Sequence, residues 1–142
     1  MKEKIILGIE TSCDDTSVAL LKGDPDNLNC VPTILSHQSF SQELLLKKWG
    51  GVVPEIAARN HLEKITPLLD ACFSEDGLKT YHVHLVAVTT HPGLLGPLLT
   101  GINCAKTLAL LHQLPIAPTN HLYAHLEAIH LTNHLPYPYL GL

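Results

Sequence analysis

Apolar and polar positions divide the chain into short strands followed by longer helical stretches. "KIILGIE" (residues 4–10) is a nearly continuous apolar run, the pattern of a buried central strand. "TSCDDT" follows as a tight turn of small and acidic residues, then "SVALLK" as a second strand and "GDPDN", dense in turn formers. "CVPTILSHQSF" predicts a third strand, with Pro32 at its start or at an edge. These three predict an antiparallel meander. "SQELLLKKWGG" predicts a helical turn stopped by Gly50 and Gly51. From Pro54 the period changes. Ala58, Leu62, Ile65, Leu69 and Cys72 fall on one helical face, and Pro54 suits the first turn. Pro67 cannot donate to the Glu63 carbonyl, so a kink or break is expected there. "HLVAVTT" predicts a buried strand. "GPLLTGINCAKTLALLHQ" predicts a helix with Ala105, Leu108, Ala109 and His112 among its periodic positions. "PIAPT" predicts a short strand, and "NHLYAHLEAIH" a helix capped by Thr119 or Asn120. The order βββαβαβα defines an α/β domain with a mixed five-stranded sheet. A further apolar strand is predicted to begin near Tyr139. A bare strand at that point needs cover, so the chain is expected to be a piece of something longer.

Composition narrows the class. The chain has 142 residues, 46% apolar and 15% charged, which suits one folded domain and excludes a disordered chain. A net charge of −4 carries no nucleic-acid footprint, so an RNA partner would need a local basic patch or help from another subunit. No apolar run reaches the roughly 18 residues of a membrane span, and no membrane partner is expected. Cys13, Cys30, Cys72 and Cys104 show no C-x-x-C spacing. With no signal-peptide pattern at the N-terminus, this points to free thiols and a reducing cytoplasm.

Three stretches carry candidate chemistry. In "GIETSCDDTSVAL" a strand ends at Glu10 and turns through Thr11, Ser12 and Cys13 to the paired acids Asp14 and Asp15. Hydroxyl residues in such a turn can offer backbone N–H groups to an anion, and an adjacent aspartate can hold a cation or take a proton. The same residues also describe an acidic hairpin facing water. In "TTHPGLLGPLLTG" a strand, a glycine turn and a helix start suit an anion site. Taken alone, they favour the simpler reading, in which Gly93 turns the chain and Gly96 and Gly101 let the helix sit close to the sheet. The pattern is neither a P-loop nor a full dinucleotide fingerprint.

Third, His121 and His125 lie four apart on one helical face, a spacing that lets two imidazoles reach one metal, with zinc or iron the usual choices. With ten histidines in the chain, the same spacing also arises by chance. Leu122 stands where the metalloprotease motif H-E-x-x-H needs glutamate. His130 is about half a turn round from His121 and points away from the pair. Glu127 lies on the opposite face from His125, so no acid of this helix completes a site. His82 and His84 are expected to be surface residues. His37, His61, His112 and His134 show no partner pattern.

"LGIETSCDDTSVAL", "GGVVPEIAARNHLEKITPLL", "PGLLGPLLTG" and "NHLYAH", in this order and spacing, resemble the TsaD family, also called Gcp or YgjD. The resemblance covers nearly the whole chain. It implies the N-terminal lobe of a two-lobed actin-like ATPase (ASKHA, ribonuclease H-like) fold, residues 1–142, with the second lobe absent from this chain. It implies a threonylcarbamoyltransferase that moves the threonylcarbamoyl group from threonylcarbamoyl-adenylate, an ATP-derived substrate, to the adenosine beside the anticodon of tRNAs reading ANN codons. The implied metal ligands are His121 and His125, holding one divalent ion, Fe2+ ahead of Zn2+. The implied catalytic acid is Asp14, with Thr11, Ser12, Cys13, Asp15 and Glu55 as substrate- or phosphate-binding residues. The implied partners are tRNA and the paralogous and ATPase accessory proteins of the pathway.

His91 before Pro92 and Leu122–Tyr123–Ala124 between the histidines depart mildly from the family pattern. The family is more than twice as long, so this chain alone is expected not to turn over. Three alternatives are weighed: a non-catalytic dimerisation module of the same pathway, which is not expected to carry the histidine pair; a metalloprotease, disfavoured by the absent H-E-x-x-H; and a carbamoyltransferase with another acceptor.

Overall fold

In a computed structural model that describes residues 3–27, 31–75, 77–133 and 135–141, the paired strands are β1 (Lys4–Glu10), β2 (Asp15–Gly23), β3 (Thr33–Ser41), β4 (Leu85–His91) and β5 (Ile116–Asn120). They form one sheet in the order β3-β2-β1-β4-β5. β1, β2 and β3 are the predicted antiparallel meander, while β4 runs parallel to β1 and β5 parallel to β4. Parallel neighbours need a crossover, and the helices provide it. α1 (Glu43–Leu46) and a 3-10 turn precede α2 (Pro54–Glu75), which leads to β4; α3 (Leu95–His112) joins β4 to β5; α4 (His121–Glu127) follows β5. Among the described residues no helix is long and apolar enough to cross a membrane.

Register decides which side chains meet. Leu7 pairs with Leu20 and Val86, and Ile9 with Val18 and Val88, so one sheet face is a continuous apolar surface. α2 and α3 cover it, and Ile65, Leu69, Cys72 and Ala105 complete the core. Burying each large aliphatic side chain there contributes about 1.5–3 kcal/mol. On the opposite face the same register sets Gly8 beside Ala19 and Ala87, and Glu10 beside Ser17. Small residues at the centre of a sheet leave a concavity, and the site lies in it.

Three local expectations change. The buried face of α2 is Ala57, His61, Ile65, Leu69 and Cys72, while Leu62 is 68% exposed. The N-terminal half is rotated by one position from the apolar stripe, because His61 is buried through hydrogen bonds that apolarity does not register. Pro67 does not break α2. Its missing N–H and ring clash cost about 3 kcal/mol, and buried Ile65, Leu69 and Cys72 on both sides of it hold the helix to the sheet. No strand starts at Tyr139 among the described residues. The phenol of Tyr137 donates to Glu127 and that of Tyr139 to the Leu126 carbonyl, so this segment is tied to the end of α4. α4 itself is shorter than predicted and ends in a 3-10 turn, Ala128–Leu131. Cys30 and His134 lie outside the described residues.

Candidate functional site

The turn between β1 and β2 is held from two sides. On one side α3 presses against it. The Thr11 hydroxyl donates to the Pro97 carbonyl at 2.8 Å and accepts from the Gly101 amide at 3.1 Å. The Leu94 amide donates to the Ser12 carbonyl at 2.8 Å. A Cβ at Gly93 would sit 2.7 Å from that carbonyl oxygen, so only glycine permits the approach. On the other side the His61 ring, fully buried, meets the Cys13 carbonyl and the Thr16 hydroxyl.

β5 delivers α4 to the same place. Asn120 caps the helix, its side-chain oxygen accepting from the Tyr123 amide at 3.0 Å. His121 and His125 then stand one turn apart, ring planes perpendicular, with their Nε2 atoms 3.2 Å apart. His121 Nδ1 lies 3.2 Å from Glu10 Oε2 and 3.1 Å from Ser12 Oγ. Burial pushes the Glu10 carboxyl up, but hydrogen bonds from the Ser12 and Thr89 hydroxyls, the Ser12 amide and His121 outweigh it and hold it below the usual range. Glu10 is therefore an ionised acceptor, and the hydrogen on His121 sits on Nδ1. In the neutral ring this leaves the Nε2 lone pair facing His125.

That arrangement fits a metal. Two nitrogens about 2.0–2.1 Å from one tetrahedral ion lie about 3.3–3.4 Å apart, and a carboxylate on the far ring nitrogen is the usual way such a ligand is oriented. Among the described residues no group of three or more His, Cys, Asp or Glu has metal-binding geometry, so the pair supplies two ligands and no more.

The turn and the pair open on one cavity of about 650 Å³. Ser12, Cys13, Asp14, Asp15, His121 and His125 line it, with Glu10 and His37. Thr11 and Glu55 are not among its lining residues. Thr11 is buried and clips α3 to the turn, and Glu55 is exposed in the first turn of α2. His130 packs against Tyr137 and Tyr139 and is not among the residues that line the cavity. His84 is exposed, though its Nδ1 accepts from the Ile5 amide, and His82 accepts from the Lys79 amide. Sequence reasoning passed over Glu10 and His61. Glu10 meets His121 across 111 positions, and only its place on the same strand face as Gly8 marked it.

Fold and site together define an α/β domain built on a mixed five-stranded sheet, with an acidic first turn facing a histidine-bearing helix. Solved structures share the fold. YeaZ from Pseudomonas aeruginosa matches with a TM-score of 0.58 at 20% identity, over 87% of this chain and 49% of that one. A second Pseudomonas aeruginosa structure, described as similar to peptidase YEAZ, matches at 0.59 and 22%, over the same shares. The sequence profile of TsaD, tRNA N6-adenosine threonylcarbamoyltransferase, matches residues 33–142, and the chain belongs to this family. Enzymes of that name from Streptococcus pneumoniae are 45% identical (strain Hungary19A-6) and 44% identical (strain R6) across all 142 residues. The chain spans 40% of the length of these relatives.

Proposed function

We propose that this chain supplies the N-terminal lobe of a tRNA N6-adenosine threonylcarbamoyltransferase of the cytoplasm. In this reading a second lobe closes the cavity, and the paralogous and ATPase accessory proteins of the pathway assist. The observation that carries it is the convergence of Asp14 and the His121–His125 pair on one cavity. The adenosine N6 attacks the carbamoyl carbon of threonylcarbamoyl-adenylate. A new N–C bond forms, the C–O bond to the phosphate breaks, and AMP leaves with the electron pair. The Asp14 carboxylate takes the amine proton. His121 and His125 would hold a divalent ion, iron ahead of zinc, whose chemistry is to offset charge on the adenylate phosphate. Glu10 keeps His121 in the tautomer that leaves Nε2 free for it.

Asp14→Ala tests the assignment in the complete protein that carries this lobe. Transfer to tRNA should be lost while metal content stays at the wild-type level. Loss of both gives Asp14 a structural or ligand role, and retained transfer removes it from the reaction.

A further inference from the structure

Asp14 lines the cavity, and the two peptide planes on either side of its Cα are both held in place. The carbonyl of Cys13 belongs to the plane before it and the carbonyl of Asp14 to the plane after it. Each accepts a hydrogen bond from a buried group tied to α2. His61 Nε2 lies 3.0 Å from the Cys13 oxygen. A carbonyl oxygen only accepts, so Nε2 carries the hydrogen. Nδ1 then holds the lone pair and accepts from the Thr16 hydroxyl at 2.7 Å. The Gln42 amide donates to the Asp14 oxygen at 3.0 Å, one step beyond the β2–β3 ladder. The Gln42 side chain is anchored in turn. Its Nε2 donates to the Ala57 carbonyl at 3.3 Å, and its Oε1 accepts from Asn60 at 2.9 Å. His61, Gln42 and Thr16 are all fully buried. Fixing two successive peptide planes fixes the backbone torsions of the residue between them, and with them the direction of its Cα–Cβ bond.

We propose that His61 is a positioning residue: with Gln42 and Asn60 it transmits the placement of α2 to the two carbonyls flanking Asp14, and so aims the Asp14 carboxylate into the cavity. Its bearing on catalysis rests on the reading of Asp14 as the proton acceptor, but the geometry stands without it. Burial supports the tautomer. It lowers the His61 pKa against the upward pull of the Cys13 carbonyl and of Glu10, Asp14 and Asp15, so the ring is neutral and has a single N–H to give.

The test uses the 142-residue chain and needs no transfer assay, so its outcome is separate from that of Asp14→Ala. Long-range 15N–1H spectra of the wild type should show His61 as one neutral Nε2–H tautomer. Amide exchange is then compared at Gln42, which reports the Asp14 carbonyl, and at Val86, whose amide bonds to Pro115 in the sheet. His61→Leu, which cannot donate, should speed Gln42 exchange about tenfold more than that of Val86, the size of one lost buried hydrogen bond. His61→Gln, which keeps a donor near the Nε2 position, should restore Gln42 to within about threefold of wild type. A role in packing alone would move both amides together and would not distinguish the two variants; either result overturns the proposal, as does an Nδ1–H ring in the wild type. If His61→Leu does not fold, the tautomer decides together with Asn60→Ala, which should accelerate Gln42 and leave Val86 unchanged.

Discussion

Gly101→Ala tests the clamp between α3 and the acidic turn. In an open helix the change stabilises by about 1 kcal/mol, because glycine gives up more backbone entropy. Here the new Cβ would lie 2.4 Å from Thr11 Oγ1 and 3.4 Å from Ile9 Cγ2. Thr11 must retreat by most of an ångström, yet its hydroxyl is held by Pro97 at 2.8 Å and Gly101 at 3.1 Å. Overpacking at such a site costs about 1–3 kcal/mol, and each disrupted buried hydrogen bond about 1–1.5 kcal/mol. Set against the propensity gain, Gly101→Ala should destabilise by about 2–4 kcal/mol, lowering Tm by about 6–14 °C for a domain of this size. Urea unfolding with an unchanged m-value and calorimetry measure it. A second variant makes the test specific. Thr11→Ala removes the oxygen that the methyl strikes, so the double variant should be more stable than the sum of the two single changes by about 1–3 kcal/mol. A neutral or stabilised Gly101→Ala, or strict additivity with Thr11→Ala, would refute the contact.

Two further outcomes bear on the turn. The Cys13 thiol is pushed up by burial and then by the charge and hydrogen bond of Asp14, with Asp15 and Glu10 adding to it. Asp14→Asn should therefore speed iodoacetamide alkylation of Cys13, while Cys104, lifted by burial to about 11, stays slow in both proteins; an unchanged Cys13 rate would separate the two side chains. His61 has a folded-state pKa below its ordinary 6.5, so its stabilisation is complete above that value and drains away as pH falls through it toward the folded pKa. The stability difference between wild type and His61→Gln should narrow from about pH 7 to about pH 5, and a constant or widening difference contradicts a buried neutral ring.

The sheet was legible because buried strands announce themselves by apolar runs and turn residues. β1 matches its predicted bounds, and the other strands shift by one to three residues at their ends. Hydropathy could not separate the two faces of β1, since Gly8 reads as apolar beside Leu7 and Ile9. Only the register, with Ala19 and Ala87 on either side of Gly8, shows that one face is core and the other a hollow. The same blindness shifted the α2 stripe. Leu62 is apolar and exposed, whereas His61 is polar and buried, because two hydrogen bonds made by its ring offset the cost of desolvating it.

The parts of the site legible in sequence are those whose spacing is local. His121 and His125 share a helical face by arithmetic, and Asp14 and Asp15 are adjacent. What binds these local pairs into one site is long-range: Glu10 to His121, Ser12 to His121, Thr11 to Gly101 and His61 to Cys13. None of these contacts follows from periodicity, because each depends on strand order, which puts β1 at the centre of the sheet between β2, which follows the turn, and β4, beyond which lies β5, the strand that leads into α4. A charged residue ending a central strand, on the face where its neighbours are glycine and alanine, has no packing reason to be there. In this fold that is the local sign of a site. Glu10 satisfies it, and its carboxylate joins the acidic turn to the histidine helix.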